Sequence, residues 1–191
     1  MKVILLFALL FGIIAQDKPK NVVTIETELG DIQIQLNLEK APKTVENFLK
    51  YVDMGHYTGG RFHRTVTMEN QPDKKIKIEV IQAGVNPNKE KESLPAIKLE
   101  RTRDTGLKHL DGTISMARNG PDTATSDFFI CIGAQPELDF GGKRNPDGQG
   151  FAAFGQVLKG MDIVRKIQSQ PAKEQSLDPA ITIISITRRV N

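Results

Sequence analysis

Apolar and polar residues alternate in two short runs near the start of the chain, Val23, Ile25 and Thr27 and then Ile32, Ile34 and Leu36, with Gly30 between them. A period of two buries one face of an extended strand, and a glycine between two such runs lets the chain reverse, so the pattern predicts a β-hairpin. From Ala41 to Met54 the spacing changes to three and four. Val45, Phe48, Leu49 and Val52 fall on one stripe, Pro42 sits in the first turn where its missing N–H does no harm, and Gly55 ends the run. A second helix is predicted from Gly160 to Ser169, with Met161, Val164 and Ile167 on one face and Pro171 beyond its end.

The remaining apolar runs are short and bounded by turn residues: Arg61 to Thr65, Ile76 to Gln82, Ile97 to Glu100, Thr113 to Arg118, Phe128 to Ile132, Ala152 to Val157 and Ile181 to Arg188. Added to the hairpin, they are enough strands to close a barrel. Many strands with two helices predict a mainly β fold whose barrel is capped by the helices, and exclude a doubly wound α/β sheet. Lys89 to Ser93 and Lys143 to Gly150 read as polar loops.

Composition narrows the function. The 191 residues, 39% hydrophobic and 26% charged, fit one globular domain. A net charge of +3, with the basic residues scattered, gives no electrostatic footprint for nucleic acid or for a membrane surface. Lys2 followed by the apolar run Val3 to Ala15 is too short to span a bilayer comfortably and has the form of a signal peptide. The expected organisation is therefore a signal peptide over residues 1–15 and an exported domain over 16–191, with no stable membrane insertion after cleavage. The single cysteine, Cys131, lies in the apolar run Phe128 to Ile132 and cannot form an intramolecular disulfide; it reads as a small buried hydrophobe rather than a nucleophile. His56, His63 and His109 are too dispersed in sequence to predict a metal site. Ser115 and Ser126 lack a G-x-S-x-G elbow, and no histidine and aspartate stand in a recognisable order around them, so hydrolysis is not expected. With no tryptophan and two tyrosines the chain has few platforms on which a sugar could stack.

Five segments carry a more specific signal: Gly59-Gly-Arg-Phe-His-Arg64, Glu79-Val-Ile-Gln-Ala-Gly84, Gly112-Thr-Ile-Ser-Met-Ala117, Ser126-Asp-Phe-Phe-Ile-Cys131 and Gly150-Phe-Ala-Ala-Phe-Gly155. Each alone is weak; in this order they resemble the active-site strands of cyclophilin-type peptidyl-prolyl isomerases, over about Val22 to Val190. The resemblance implies a closed antiparallel eight-stranded β-barrel, an enzyme acting on proline-containing polypeptides without a cofactor or metal, and a monomer. It places Arg64 at the family's catalytic arginine and Gln82 at the glutamine that orients it. Ala117 matches the alanine after Ser-Met, and Arg118 stands where the backbone grips the residue before proline. Phe129 falls at the aromatic floor of the proline pocket and Leu138 at its side, with Val80 and Phe151 completing the wall.

Departures from the family pattern are equally plain. Glu79 and Val80 stand where it has phenylalanine and methionine, Glu137 where many members have tryptophan, and Phe151 where they have histidine. Two insertions separate Arg64 from Gln82 and Leu138 from Phe151; the first, residues 65–77, has turn chemistry without an apolar period and is expected to project above the groove. Taken on its own, Arg64 could equally pair with Glu79 or Glu100 at the surface. Glu79, Val80 and Glu137 also leave open a binding or chaperone module that keeps the groove and turns over slowly. Because the ending carries no Lys-Asp-Glu-Leu signal and the Gly-Gln-Gly-Phe-Ala-Ala-Phe-Gly segment resembles bacterial members, the expected compartment is the periplasm, with secretion or a secretory lumen as the alternative.

Overall fold

The computed structural model describes residues 21–188; the signal-peptide reading of residues 1–15 lies outside them. The predicted hairpin forms as β1 (Val22–Thr27) and β2 (Gly30–Leu36), paired from Val22↔Gln35 to Thr27↔Gly30. The other strands are β3 (Arg61–Val66), β4 (Val80–Gly84), β5 (Thr113–Met116), β6 (Phe128–Cys131), β7 (Ala152–Lys159), β8 (Ala172–Lys173) and β9 (Ser176–Arg188). Their order is β1-β2-β7-β5-β6-β4-β3-β9, every neighbour is antiparallel, and β9 returns to β1. Eight strands thus close a barrel and leave no exposed edge, while the two-residue β8 pairs only with β9.

Alternation fills the interior. Ile25, Ile32, Ile34, Phe62, Ile81, Phe128, Ile130 and Phe154 point inward and are almost wholly buried. The helix α1 (Pro42–Asp53) adds Val45, Phe48, Tyr51 and Val52 to that core, and Phe48 meets Tyr57, Phe128 and Phe154 at ring distances of 5.3, 5.6 and 5.3 Å. After a single turn, α2 (Thr102–Thr105), the second predicted helix forms as α3 (Met161–Gln168) and buries Val164 and Ile167 in the same core. Gly160 begins it at φ +94, and a Cβ there would lie 2.3 Å from the Asp31 carbonyl oxygen, so the approach of α3 to β2 requires glycine.

Three expected elements differ. Ile97 to Glu100 is no strand: Ile97 makes one bridge with Ala124, Leu99 N–H donates to Asp122, and Glu100 instead accepts from Lys43 N–H, Thr44 N–H and Thr44 Oγ1 at 3.2, 2.8 and 2.6 Å. Its carboxylate takes the place of the cap that Ala41 cannot provide and puts a negative charge at the positive end of α1. Ile76 to Glu79 also stays outside the sheet, because β3 ends at Val66 and offers no partner beyond Val80. Lys89 to Ser93, expected as a loop, lies mostly within a 3₁₀ turn, Pro87–Glu92, started by Asn86 accepting from Asn88 N–H.

Candidate active site

A row of residues crosses the sheet in register: Arg64 opposite Gln82, Gln82 opposite Phe129, Phe129 opposite Ser115. Directly opposed residues share a face, and this face is the outside of the barrel. Phe62, two residues before Arg64, faces the inside, opposite Ala83. Regular alternation would have kept Phe62 and Arg64 together. A bulge at His63 inserts one residue into β3, and that residue turns Arg64 outward.

Alternation along an unbroken strand would also send the His63 and Arg64 side chains to opposite faces, and the bulge prevents this. His63 Nε2 lies 3.8 Å from Asp127 Oδ2, and the same oxygen accepts from Gln82 Nε2 at 3.3 Å. Asp127, with one side open to water, is raised above the usual carboxylate range by burial, against the lowering effects of His63's charge and the Gln82 hydrogen bond.

Arg64 is held from two sides. Nη1 donates to Gln82 Oε1 at 2.9 Å, while Nε and Nη2 donate to Gln175 Oε1 at 3.0 and 2.6 Å. A guanidinium has five N–H bonds, so one on Nη1 and one on Nη2 are left for the groove that Arg64 lines. Burial lowers the arginine's pKa, yet the group stays protonated at any physiological pH. Neither surface partner considered from the sequence is used: Glu79 accepts from Gln168, and Glu100 caps α1.

Beside this clamp lies a second, smaller apolar cluster of Val66, Ile78, Val80, Phe129, Cys131 and Leu138, with Ala117 and Phe151 packed against it. Phe129 meets Phe151 edge-on at 5.3 Å, and the two form the floor and wall of a groove of about 900 Å³. Arg64, Gln82, Val80, Ala117, Arg118, Phe129, Leu138 and Phe151 all line it. The Arg118 side chain is committed elsewhere: Nη1 and Nη2 pair with the Asp147 carboxylate at 2.8 and 2.9 Å, Nε and Nη2 donate to Gly150 O, and the guanidinium lies 5.0 Å over the Phe151 ring. It anchors the loop 141–150. Gly150, at φ +67 with Asp139 C 2.5 Å from where a Cβ would sit, lets that loop pass close enough to be held. Glu137 does not line the groove; its carboxylate turns back to accept from Lys143 N–H at 2.7 Å.

The first insertion is less free than its composition implies. Gln71 is 2% exposed and its amide donates to Thr67 O and Ile78 O while accepting from Ile78 N–H, which satisfies backbone that has no strand to pair with. Asn70 ties the same loop to Thr65 O and Glu174 O.

Sequence reasoning missed two features. Gln175, in the short connection between β8 and β9, is 111 positions from the arginine it grips. The other is a buried chain behind Phe129: Ser115 Oγ lies 2.9 Å from His109 Nε2, and His109 Nδ1 lies 2.8 Å from Asp139 Oδ1. Serine, histidine and aspartate are thus arranged after all. This is no hydrolytic triad, because Ser115 is fully buried and His109 stacks against Phe129 at 6.0 Å, leaving a substrate carbonyl no approach. Cys131 is pushed well above the usual thiol range by burial and then by the charges of Asp139 and Asp111, which keeps it a thiol. Among the described residues no group of three or more histidine, cysteine, aspartate or glutamate side chains is placed to hold a metal ion.

A closed antiparallel barrel with an arginine-glutamine pair beside an apolar pocket on its outer face is the arrangement that the order of the five segments implies. The family described as cyclophilin type peptidyl-prolyl cis-trans isomerase/CLD matches residues 22–188, and the chain belongs to that family. It is 37% identical to a peptidyl-prolyl cis-trans isomerase, cyp18, of Streptomyces antibioticus, over 78% of this chain and 83% of that one. It is likewise 37% identical to peptidyl-prolyl cis-trans isomerase B of Escherichia coli, over 77% and 84%. Among solved structures, a cyclophilin type isomerase of Cryptosporidium parvum superposes with a TM-score of 0.72 at 24% identity, covering 90% of this chain and 98% of the other.

Proposed function

We propose that this chain accelerates rotation about X–Pro peptide bonds in extended polypeptides, with Arg64 as the donor and Gln82 as its orienter. The barrier to that rotation is about 20 kcal/mol, because the nitrogen lone pair is delocalised into the carbonyl. As the bond twists, the prolyl nitrogen becomes pyramidal and regains a lone pair that can accept a hydrogen bond. A donor held at that point binds the twisted amide more tightly than the planar one, which is the condition for catalysis. The observation that carries this reading is the double hold on Arg64: with Gln82 and Gln175 occupying three N–H bonds, the remaining two are fixed in direction before substrate arrives. Val80, Phe129, Leu138 and Phe151 take the proline ring, Ala117 sits at the pocket edge, and Arg118 supports the wall through the loop it anchors rather than by its side chain touching substrate. No bond breaks and no proton is transferred, so the chemistry asks for no cofactor.

The deciding experiment is an isomerase assay on a proline peptide, using protein lacking residues 1–15, with Arg64→Ala beside it. Loss of one preorganised donor lowers kcat/KM by about 100-fold while the fold is kept, and Arg64→Lys is also poor because an ammonium cannot match the planar fork. Full activity in Arg64→Ala overturns the mechanism; a slow wild-type chain that still binds proline peptides favours the chaperone reading. The apolar run after Lys2 supports action outside the cytoplasm, in the periplasm. Recovery of the chain with an intact Met1 from the cytoplasmic fraction alone would overturn that placement.

A further inference from the structure

The groove is unequally charged. Besides Arg64 it is lined by Lys74 and Lys75 from the first insertion and by Lys143 and Arg144 from the second, whereas Asp127 is the one carboxylate along it. None of these five cations takes part in an ion pair among the described residues. Arg64 and Arg144 instead donate to neutral acceptors: the amides of Gln82 and Gln175 for the first, Gln71 Oε1 at 2.8 Å and Ile76 O at 2.7 Å for the second. Arg144 thereby fastens the two insertions to each other, forming one positively charged wall on the groove.

Partly buried cations facing each other without a counter-charge are held at an electrostatic cost that a bound anion relieves. Burial lowers the pKa of Arg144, and Arg64's charge lowers it further, as two like charges across one groove require. Lys74, Lys75 and Lys143 are exposed, so their long stems can follow a carboxylate that enters.

We propose that the wall between residues 67–78 and 141–150 is a subsite for acidic side chains, aspartate or glutamate, within a few residues of the isomerised proline. The protein then selects acidic proline segments, and its two insertions are the selecting element. This rests on the groove being where proline peptides bind.

The test compares proline peptides that carry Glu, Gln or Lys at single positions on either side of the proline. Glu and Gln are nearly isosteric, so their ratio reports charge. At about 20 mM salt, where screening is weak, kcat/KM for at least one Glu peptide is expected to exceed that of its Gln twin by about tenfold, chiefly through KM, with the Lys peptide poorest; at about 300 mM the advantage shrinks several-fold. In the triple variant Lys74→Gln, Lys75→Gln, Lys143→Gln the ratio falls towards one, and because it is a ratio, a general loss of activity cancels. Equal values for Glu and Gln at every position, or a preference that survives in the triple variant or in high salt, overturns the subsite. Should no peptide be turned over at all, the isomerase reading has failed, and titration of binding for the same peptides still decides the charge preference on its own.

Discussion

Phe128 and Phe129 are consecutive on β6, chemically identical, and buried to 0% and 5% exposure, but they belong to different parts of the molecule. Phe128 points into the barrel, with Phe48, Tyr57 and Phe62 around it at ring distances of 5.6, 5.6 and 6.0 Å. Phe129 points out, into the small cluster whose far side opens on the groove. The inner cluster is complete. The outer one lacks a partner on one side, the opening that the proposed function fills with a proline ring. Burial alone therefore says nothing about role; what distinguishes the two residues is whether the apolar layer beyond them is closed.

This contrast predicts the largest effect. Phe128→Ala is expected to lose about 4 kcal/mol of stability, from lost transfer energy and a cavity that the barrel cannot collapse. Phe129→Ala is expected to lose clearly less, since its site already meets water, and to lower kcat/KM more than tenfold by removing the pocket floor. Denaturant unfolding and isomerase assays on the two variants check both halves; equal stability losses would show that the outer cluster is ordinary core.

Strands and pocket residues were unequally legible, for physical reasons. Alternation reveals β1 and β2, where buried residues are interleaved with more exposed ones, whereas β6, buried at all four positions, is legible as a continuous apolar run. The run Arg61 to Thr65 reads as an ordinary strand, and nothing in its residue types marks the extra residue at His63; the bulge arises from pairing with β4, which local pattern cannot show. Ile97 to Glu100 has strand-like residues but lies outside the barrel, where its polar groups find other partners. Residues of the groove could be named together because five short segments share an order with a known family. Gln175 could not, since it lies in a polar turn whose only distinction is its place in space beside Arg64.

Gln175 also separates the two kinds of contact that the proposed function requires, those that fix the donor and those that seat the ring. Gln175→Ala frees two N–H bonds of Arg64, and losing an acceptor to a charged group should lower activity by about tenfold, in kcat rather than KM, if the arginine acts on the twisted amide as proposed. Gln175→Glu keeps an acceptor and should recover much of the rate. Because Gln175 also donates to Asn70 O at 3.1 Å, a purely structural role has to be excluded. The double variant does so: with Arg64→Ala already present, Gln175→Ala should cost almost nothing further. Additive losses would place its effect in the loop instead.

The smallest expected effect concerns Asp127, which sits at the far end of the same hydrogen-bonded line from Arg64 through Gln82. An ionised carboxylate can only accept, so it compels Gln82 to turn its amide N–H towards Asp127 and its oxygen towards Arg64. Protonation weakens the hold from the Asp127 side, while Arg64, which can only donate, still requires the Gln82 oxygen, so the effect is small. Activity should accordingly be level at neutral and mildly alkaline pH, where Arg64 stays charged, and fall two- to threefold, roughly, on an acid limb whose midpoint lies above the usual carboxylate value of about 4. Stability moves the other way. Asp127's folded-state pKa is raised, so the folded chain binds this proton more tightly than the unfolded one; its contribution to folding is unfavourable above the folded pKa and is relieved as pH falls through it. Asp127→Asn, which retains an accepting oxygen, should lose the acid limb and raise the melting temperature at neutral pH. The charges of His63, 3.8 Å away, and Glu90 act on Asp127 in opposite directions, the first lowering and the second raising its pKa, and Asp127 in turn raises Tyr57. Profiles of kcat/KM against pH for the wild type and Asp127→Asn check this: a limb that persists unchanged in Asp127→Asn would show that the carboxylate is not its source.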